Sequence, residues 1–150
     1  MPSVHDVAAY IVSRQKCVTA MKLQKLVYYC QAWSLVWDER ALFPEPIEAW
    51  ANGPVVPELY YAHQGEFEIR SIRDAHPEHI DKDGLDTIDA VLSAYGACSA
   101  QRLSDLTHAE RPWRDARAGL ADGERGNRVI SLASMEEYYS SLNANGQEES

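Results

Sequence analysis

The strongest hydrophobic pattern in the chain lies between Thr19 and Trp37. Apolar residues recur there at spacings of three and four, as one face of an α-helix requires, namely Leu23, Leu26, Val27, Cys30, Trp33 and Trp37. A second apolar set covers much of the remaining circumference: Met21, Tyr28, Tyr29, Leu35 and Val36. A helix that is apolar on nearly all sides is buried on most of them. We therefore predict a central, buried helix with Thr19 as its N-cap.

A first helix is predicted to precede the central one. Ser3 and Asp6 resemble a capping box, and the apolar residues that follow favour one helical face from about Val4 to Lys16. The short link Cys17-Val18 then leads into the central helix. Because the link is short, the two helices are expected to pack as antiparallel neighbours.

The remainder of the chain predicts short helices and little strand. Helical patterns cover, approximately, residues 55–64, 85–97, 99–107, a turn or two from Pro112, and a last helix, with Ser99 and Ser134 as N-caps. Brief strands are predicted at 47–51, closed by the turn Asn52-Gly53-Pro54, and at 67–72 and 129–132. The fold class is mainly α, formally α+β: a compact helical domain around a buried central helix, with a small β-hairpin or short sheet. We predict a single domain over residues 1–142 and a flexible polar tail over residues 143–150.

Composition and charge narrow the function further. The chain has 150 residues, 45% of them apolar, but no apolar run approaches the roughly 18 residues of a membrane span, and the N-terminus does not resemble a secretory signal. We therefore expect a cytoplasmic protein. The net charge of −9 argues against nucleic-acid binding through a broad basic surface. It suits a basic protein partner, and the alternative is that the acidity serves only solubility.

Sequence patterns for bond-making chemistry are weak. The three cysteines, Cys17, Cys30 and Cys98, show no CxxC spacing and are interpreted as small hydrophobic residues. No glycine-rich phosphate-binding motif is present. An alternative is a hydrolase that uses His108 with a neighbouring acid, Asp105 or Glu110, although His108 also suits a helix-end cation or a hydrogen-bond donor in the core.

A metal site is considered at His76 and His79, with Glu78 and Asp81 beside them. Two imidazoles three residues apart need a helical turn to face one ion, and Pro77 opposes a helix across this stretch. We therefore predict a solvated loop and no metal site.

Several aromatic residues indicate a docking surface. Trp and Tyr concentrate in protein interfaces because a large apolar face ends in a hydrogen-bonding group. On this ground the candidates are Trp50, Tyr60, Tyr61 and Trp113, with Asn52 in the turn between them. The alternative is that both tryptophans are core residues.

Lys25 is a cation within the otherwise apolar central helix. It is expected either to extend to the surface or to meet a carboxylate. If it lines a groove with Trp50 and Tyr60, it becomes a specificity contact.

Two sequence strings are familiar in combination. They are LQKLVYYCQAW at residues 23–33 and IEAWANGPVVPELY at residues 47–60, supported by LSDLTH at 103–108, Pro112-Trp113 and Tyr138-Tyr139. Together they resemble the Panacea domain, the SocA-like antitoxin domain that is also found in phage-associated, GepA-like proteins. The resemblance spans roughly residues 4 to 142.

The resemblance implies a mainly helical antitoxin of a bacterial toxin–antitoxin system, often encoded beside its toxin or in a prophage. Such a domain is not an enzyme and neutralises a cognate protein toxin by direct protein–protein binding. The alternative is a proteolytic adaptor that delivers the toxin to a ClpXP-type protease. No cofactor, membrane or nucleic-acid partner is expected. The residues expected to bind the partner, from the family pattern and the aromatic candidates together, are Lys25, Tyr29, Trp50, Asn52, Tyr60, Tyr61, His108 and Trp113.

Overall fold

A buried central helix organises the fold, as the sequence predicts. The structure is a computed structural model that describes the backbone of residues 1–149 and the side chains of residues 1–144. Its helices are α1 (Val4–Gln15), α2 (Ala20–Trp37), α3 (Pro57–Ala62), α4 (Lys82–Tyr95), α5 (Ala100–Ala109), α6 (Arg111–Ala116) and α7 (Leu132–Glu149). Twelve of the 18 residues of α2 are buried, because α1, α4, α5 and α7 all pack around it. The mainly α class is confirmed.

The helix starts follow the capping side chains. The capping box of Ser3 and Asp6 is present, and the Thr19 hydroxyl accepts a hydrogen bond from the Lys22 amide at 3.1 Å. The predicted N-cap of the last helix is wrong. Ser131 caps α7 by accepting a hydrogen bond from the amide of Ser134 at 3.1 Å, so the helix begins earlier than the sequence pattern indicates.

The strands form two small antiparallel pairs. Strand β1 (Val18–Thr19) pairs with β4 (Glu68–Ile69), and β2 (Glu48–Trp50) pairs with β3 (Gly53–Val55) in a hairpin. The predicted strand at residues 129–132 is reduced to one bridge between Val129 and Glu48, because α7 already begins at Leu132. The hairpin lies over the N-terminal half of α2 and is backed by α5 and α6.

The C-terminal residues bear on the predicted bounds of the domain and of its tail. Helix α7 is assigned through Glu149, and Ser150 lies outside the described residues. The predicted tail at 143–150 falls largely on residues whose side chains are not described, so the tail and the 1–142 domain remain predictions. None of the described helices combines the length and the apolar composition needed to cross a bilayer.

Candidate partner-binding groove

An open groove lies between the N-terminal half of α2, the β2–β3 hairpin, α3 and β4, with a volume of about 1060 Å³. Four of the nine exposed large apolar side chains in the described part of the chain line it: Met21, Tyr60, Tyr61 and Phe67. Exposed apolar groups gathered on one surface, rather than scattered, are typical of an interaction site. We call this surface the groove.

Aromatic rings form one wall of the groove. The Trp50 and Tyr60 rings meet edge to face with their centroids 5.0 Å apart, and Tyr60 meets Tyr61 in the same way at 5.3 Å. The Trp50 indole N–H donates to the Glu48 carboxylate at 2.9 Å, which fixes the ring at the end of β2. The wall therefore consists of rings that hold one another in position.

Lys25 lies at the floor of the groove. It neither extends to the surface nor meets a carboxylate of the described residues, the two outcomes expected from the sequence. Its side chain is only 2% exposed, so it does not extend to the surface. Among residues 1–144, no carboxylate pairs with its Nζ and no hydrogen-bond partner is present. Burial lowers the pKa of Lys25 to about 8. The groove floor therefore holds a cation that the described residues bury but do not neutralise.

Gly53 explains how the hairpin can cover this lysine. Its φ angle is +132°, a conformation that L residues rarely adopt. A Cβ at this position would lie 2.5 Å from Cε and 2.9 Å from Nζ of Lys25. Glycine at the start of β3 is thus required both by the backbone conformation and by the space that the lysine occupies.

Gly53→Ala should therefore destabilise the protein more than a matched change at another glycine. Gly65 also has a positive φ, +89°, but nothing lies within 4 Å of its hypothetical Cβ. We expect Gly65→Ala to lower the free energy of unfolding by about 1 kcal/mol from backbone strain alone, and Gly53→Ala by about 2 kcal/mol or more. Urea unfolding of both variants measures the difference, and equal losses would show that Lys25 does not fill the space below Gly53.

Of the other predicted site residues, Asn52 lines the groove, whereas His108 and Trp113 lie behind the hairpin. Trp113 donates its indole N–H to the Trp50 carbonyl at 2.9 Å, and the His108 ring stacks on Trp113 at 4.1 Å. Arg117 donates to the Ala49 carbonyl at 3.1 Å. His108 of α5, Trp113 of α6 and Arg117, which follows α6, therefore hold the hairpin from behind.

Tyr29 belongs to the core. It is fully buried, its ring stacks on Tyr95 at 4.1 Å, and its hydroxyl donates to the Glu110 carboxylate at 2.7 Å. Tyr139 donates to the same carboxylate at 2.8 Å. Burial raises the pKa of Glu110, and the two phenols solvate its charged form. The structure therefore places Tyr29 away from the groove.

The hydrolase alternative needs a histidine bonded to an acid, and the described residues do not form that pair. Glu110 is held by tyrosines, and Asp105 accepts a hydrogen bond from Gln101 at 2.9 Å. The Nε2 atom of His108 is buried without a partner among residues 1–144, and burial lowers the pKa of this histidine. Neither Asp105 nor Glu110 orients His108 as a general base would require.

The His76 region differs from its sequence prediction in one respect. Pro77–His79 forms a single 3-10 turn, since proline is well accommodated at the first helical position. The stretch thus contains one short turn and no α-helix, although Pro77 was expected to oppose helical structure here. Ligand atoms of His76, Glu78 and His79 lie within 4.8 Å of one another, but all three residues are exposed and His76 is hydrogen-bonded to Glu78 at 3.2 Å.

The sequence analysis did not identify a role for two glutamines of α2, which bind backbone amides of neighbouring segments. Gln24 accepts a hydrogen bond from the Val56 amide at 2.9 Å, and Gln31 accepts one from the Leu42 amide at 2.6 Å. Both side chains are buried. A glutamine on a buried helix needs a hydrogen-bond partner. This requirement could have indicated from the sequence that both side chains bind a neighbouring segment.

Fold and site together define a small, mainly α-helical domain with an aromatic groove beside a β-hairpin. The chain belongs to the family of SocA-like antitoxins with a Panacea domain, whose family model matches residues 23–114. The matched range runs from α2 into α6 and contains the hairpin and α3, although it is shorter than the predicted span of 4 to 142. No curated protein and no solved structure is significantly similar to the chain.

Proposed function

We propose that this protein is the antitoxin of a bacterial toxin–antitoxin system and that it neutralises its toxin by direct binding at the groove, in the cytoplasm and without catalysis. The observation that carries the proposal is the groove itself: aromatic rings that support one another and exposed apolar side chains, most of them inside the family-matched range. Membership in an antitoxin family supports a protein toxin as the partner.

The groove offers the kind of aromatic anchors on which tight masking depends. A stable interface buries about 1,600 Å² in total and depends on a few aromatic or arginine anchors. Trp50, Tyr60 and Tyr61 can supply such anchors, because their rings already support one another. The net charge of −9 speeds encounter with a basic toxin by long-range attraction.

Co-expression tests the proposed function. The probe is the protein encoded by the reading frame adjacent to this chain, expressed with and without it in a growth assay. Growth should be poor with the adjacent product alone and restored when this chain is present. Equally poor growth in both cases would contradict the proposal. No feature of residues 1–144 favours the proteolytic-adaptor alternative.

Tyr61→Ser should separate binding from folding. The Tyr61 side chain is 63% exposed at the edge of the groove, so its loss should change the free energy of unfolding by less than about 0.5 kcal/mol. Loss of an aromatic anchor should weaken toxin binding by about tenfold or more.

Leu132→Ser is the matched control for Tyr61→Ser. Leu132 is an exposed apolar residue at the start of α7 and does not line the groove. Isothermal titration calorimetry of both variants with the toxin gives the comparison. Equal loss of affinity in the two variants would show that general surface apolarity, rather than the groove, drives binding.

A further inference from the structure

We propose that the toxin inserts an acidic side chain, aspartate or glutamate, into the groove, where its carboxylate pairs with Nζ of Lys25. The inference rests on the proposed function and names the chemistry that the groove recognises. The expected partner is basic overall, because this chain carries a net charge of −9. The segment of the partner that enters the groove nevertheless carries an acidic residue at its centre.

The first support is the isolation of the lysine. Lys25 is only 2% exposed at the groove floor, its Nζ is not fully enclosed, and no residue among 1–144 accepts a hydrogen bond from that atom. A buried ammonium without a partner is strongly unfavourable, and a carboxylate that enters the groove removes that penalty.

The second support is that the chain's own groove charges are already engaged or are of the wrong sign. Glu48 accepts the Trp50 indole N–H at 2.9 Å, and Glu66 lies 3.0 Å from Nδ1 of His63. Arg125, from the loop that precedes Val129, also lines the groove and carries a positive charge. Lys25 is thus left for an external anion.

His63 adds a second unpartnered polar atom to the same groove. Its Nε2 is buried without a hydrogen-bond partner, while its Nδ1 faces Glu66. Nε2 of His63 is therefore a second nitrogen atom in the groove that a polar group of the partner can meet.

The donors favour an acidic side chain over a free C-terminal carboxylate. A C-terminal carboxylate is usually captured by a nest of backbone N–H groups. Here the polar side chain next to Lys25, Gln24, is already bonded to the Val56 backbone. A single buried ammonium in a groove with an aromatic wall instead matches one carboxylate carried on an apolar segment.

A double-mutant cycle with the adjacent-frame protein tests the inference. Each Asp and Glu of that protein is changed singly to Asn or Gln, and binding is measured to the wild-type chain, Lys25→Met and Lys22→Met. Lys22 is the matched control on the same helix, since its Nζ donates to the Gly96 carbonyl at 2.6 Å outside the groove. We expect Lys25→Met to weaken binding by about 100-fold and Lys22→Met by less than about threefold.

One of the acid-to-amide changes in the partner should weaken its binding to the wild-type chain about as much as Lys25→Met does. The same change should have little effect on binding to the Lys25→Met variant. Wild-type affinity should also fall as pH rises from 7 to 9.5, because the pKa of Lys25 is about 8 in the unbound protein, while affinity of Lys25→Met should vary less. Unchanged binding by Lys25→Met, or no partner acid that couples to Lys25, would overturn the inference but leave the proposed function standing. Failure of the wild-type chain to bind would overturn both.

Discussion

Lys25→Met is expected to stabilise the isolated protein at pH 7 by about 2–3 kcal/mol. Burial lowers the pKa of Lys25 from 10.5 to about 8, and a shift of that size corresponds to about 3 kcal/mol against the charged form. Methionine fills a similar volume without a charge and brings no hydrogen-bonding group into the floor of the groove. Urea unfolding of the two proteins at pH 7 gives the difference directly.

The pH dependence gives this prediction a second, independent readout. Below pH 8 the lysine is protonated in both the folded and the unfolded protein, so the full penalty is present. Between pH 8 and about 10.4 the folded protein loses the proton while the unfolded chain keeps it, and the penalty decreases. The advantage of Lys25→Met should therefore shrink over this window. An advantage that is absent at pH 7, or that does not change with pH, would mean that the ammonium is solvated in the folded protein.

A group that destabilises the isolated fold is informative about function. Strain or unfavourable burial retained in a native structure is typical of functional sites, where the partner supplies the missing interaction. Lys25 has this property, and it lines the same groove as Trp50 and Tyr60. The same variant that stabilises the free protein should thus weaken the complex, which a purely structural lysine would not do.

The sequence predicted the helical framework well because local signals specify it. Ser3, Thr19 and Ser99 cap the helices that their positions indicate, and the apolar circumference of α2 identifies the centre of the fold. Ser131 was missed because a serine at either position suits a cap, and only the hydrogen bond distinguishes them. Local patterns therefore locate helices more securely than they locate helix ends.

The site was predicted in part, since residue type does not distinguish an interface aromatic from a core aromatic. Trp50, Tyr60 and Tyr61 meet in the groove, whereas Tyr29 lies in the core and Trp113 supports the hairpin from behind. The burial of Lys25 depends on a hairpin that follows it by more than twenty residues, so helical periodicity alone could not reveal it.

Met21, Phe67 and His63 reach the groove from separate segments of the chain. No sequence motif connects them. They join the site through the packing of α2, α3 and β4, which sequence spacing does not report.

Gln24→Met should lower both the stability of the protein and its affinity for the toxin. The change removes the acceptor for the Val56 amide, and a buried donor left without a partner costs about 1–3 kcal/mol. Val56 precedes α3, the helix that carries Tyr60 and Tyr61, so its release should displace the aromatic wall. We expect toxin affinity to fall by about tenfold, measured by calorimetry below the unfolding transition.

Gln31→Met provides the control because it repeats the chemistry two turns further along α2. Gln31 accepts from the Leu42 amide and donates to the Phe43 carbonyl at 2.8 Å, so its loss should cost at least as much stability as loss of Gln24. Neither Leu42 nor Phe43 lines the groove, and affinity should therefore stay within about twofold of wild type. If instead both variants lost affinity in proportion to their loss of stability, the weaker binding would reflect general unfolding. The hydrogen bond from the Val56 amide to Gln24 would then have no specific role in toxin binding.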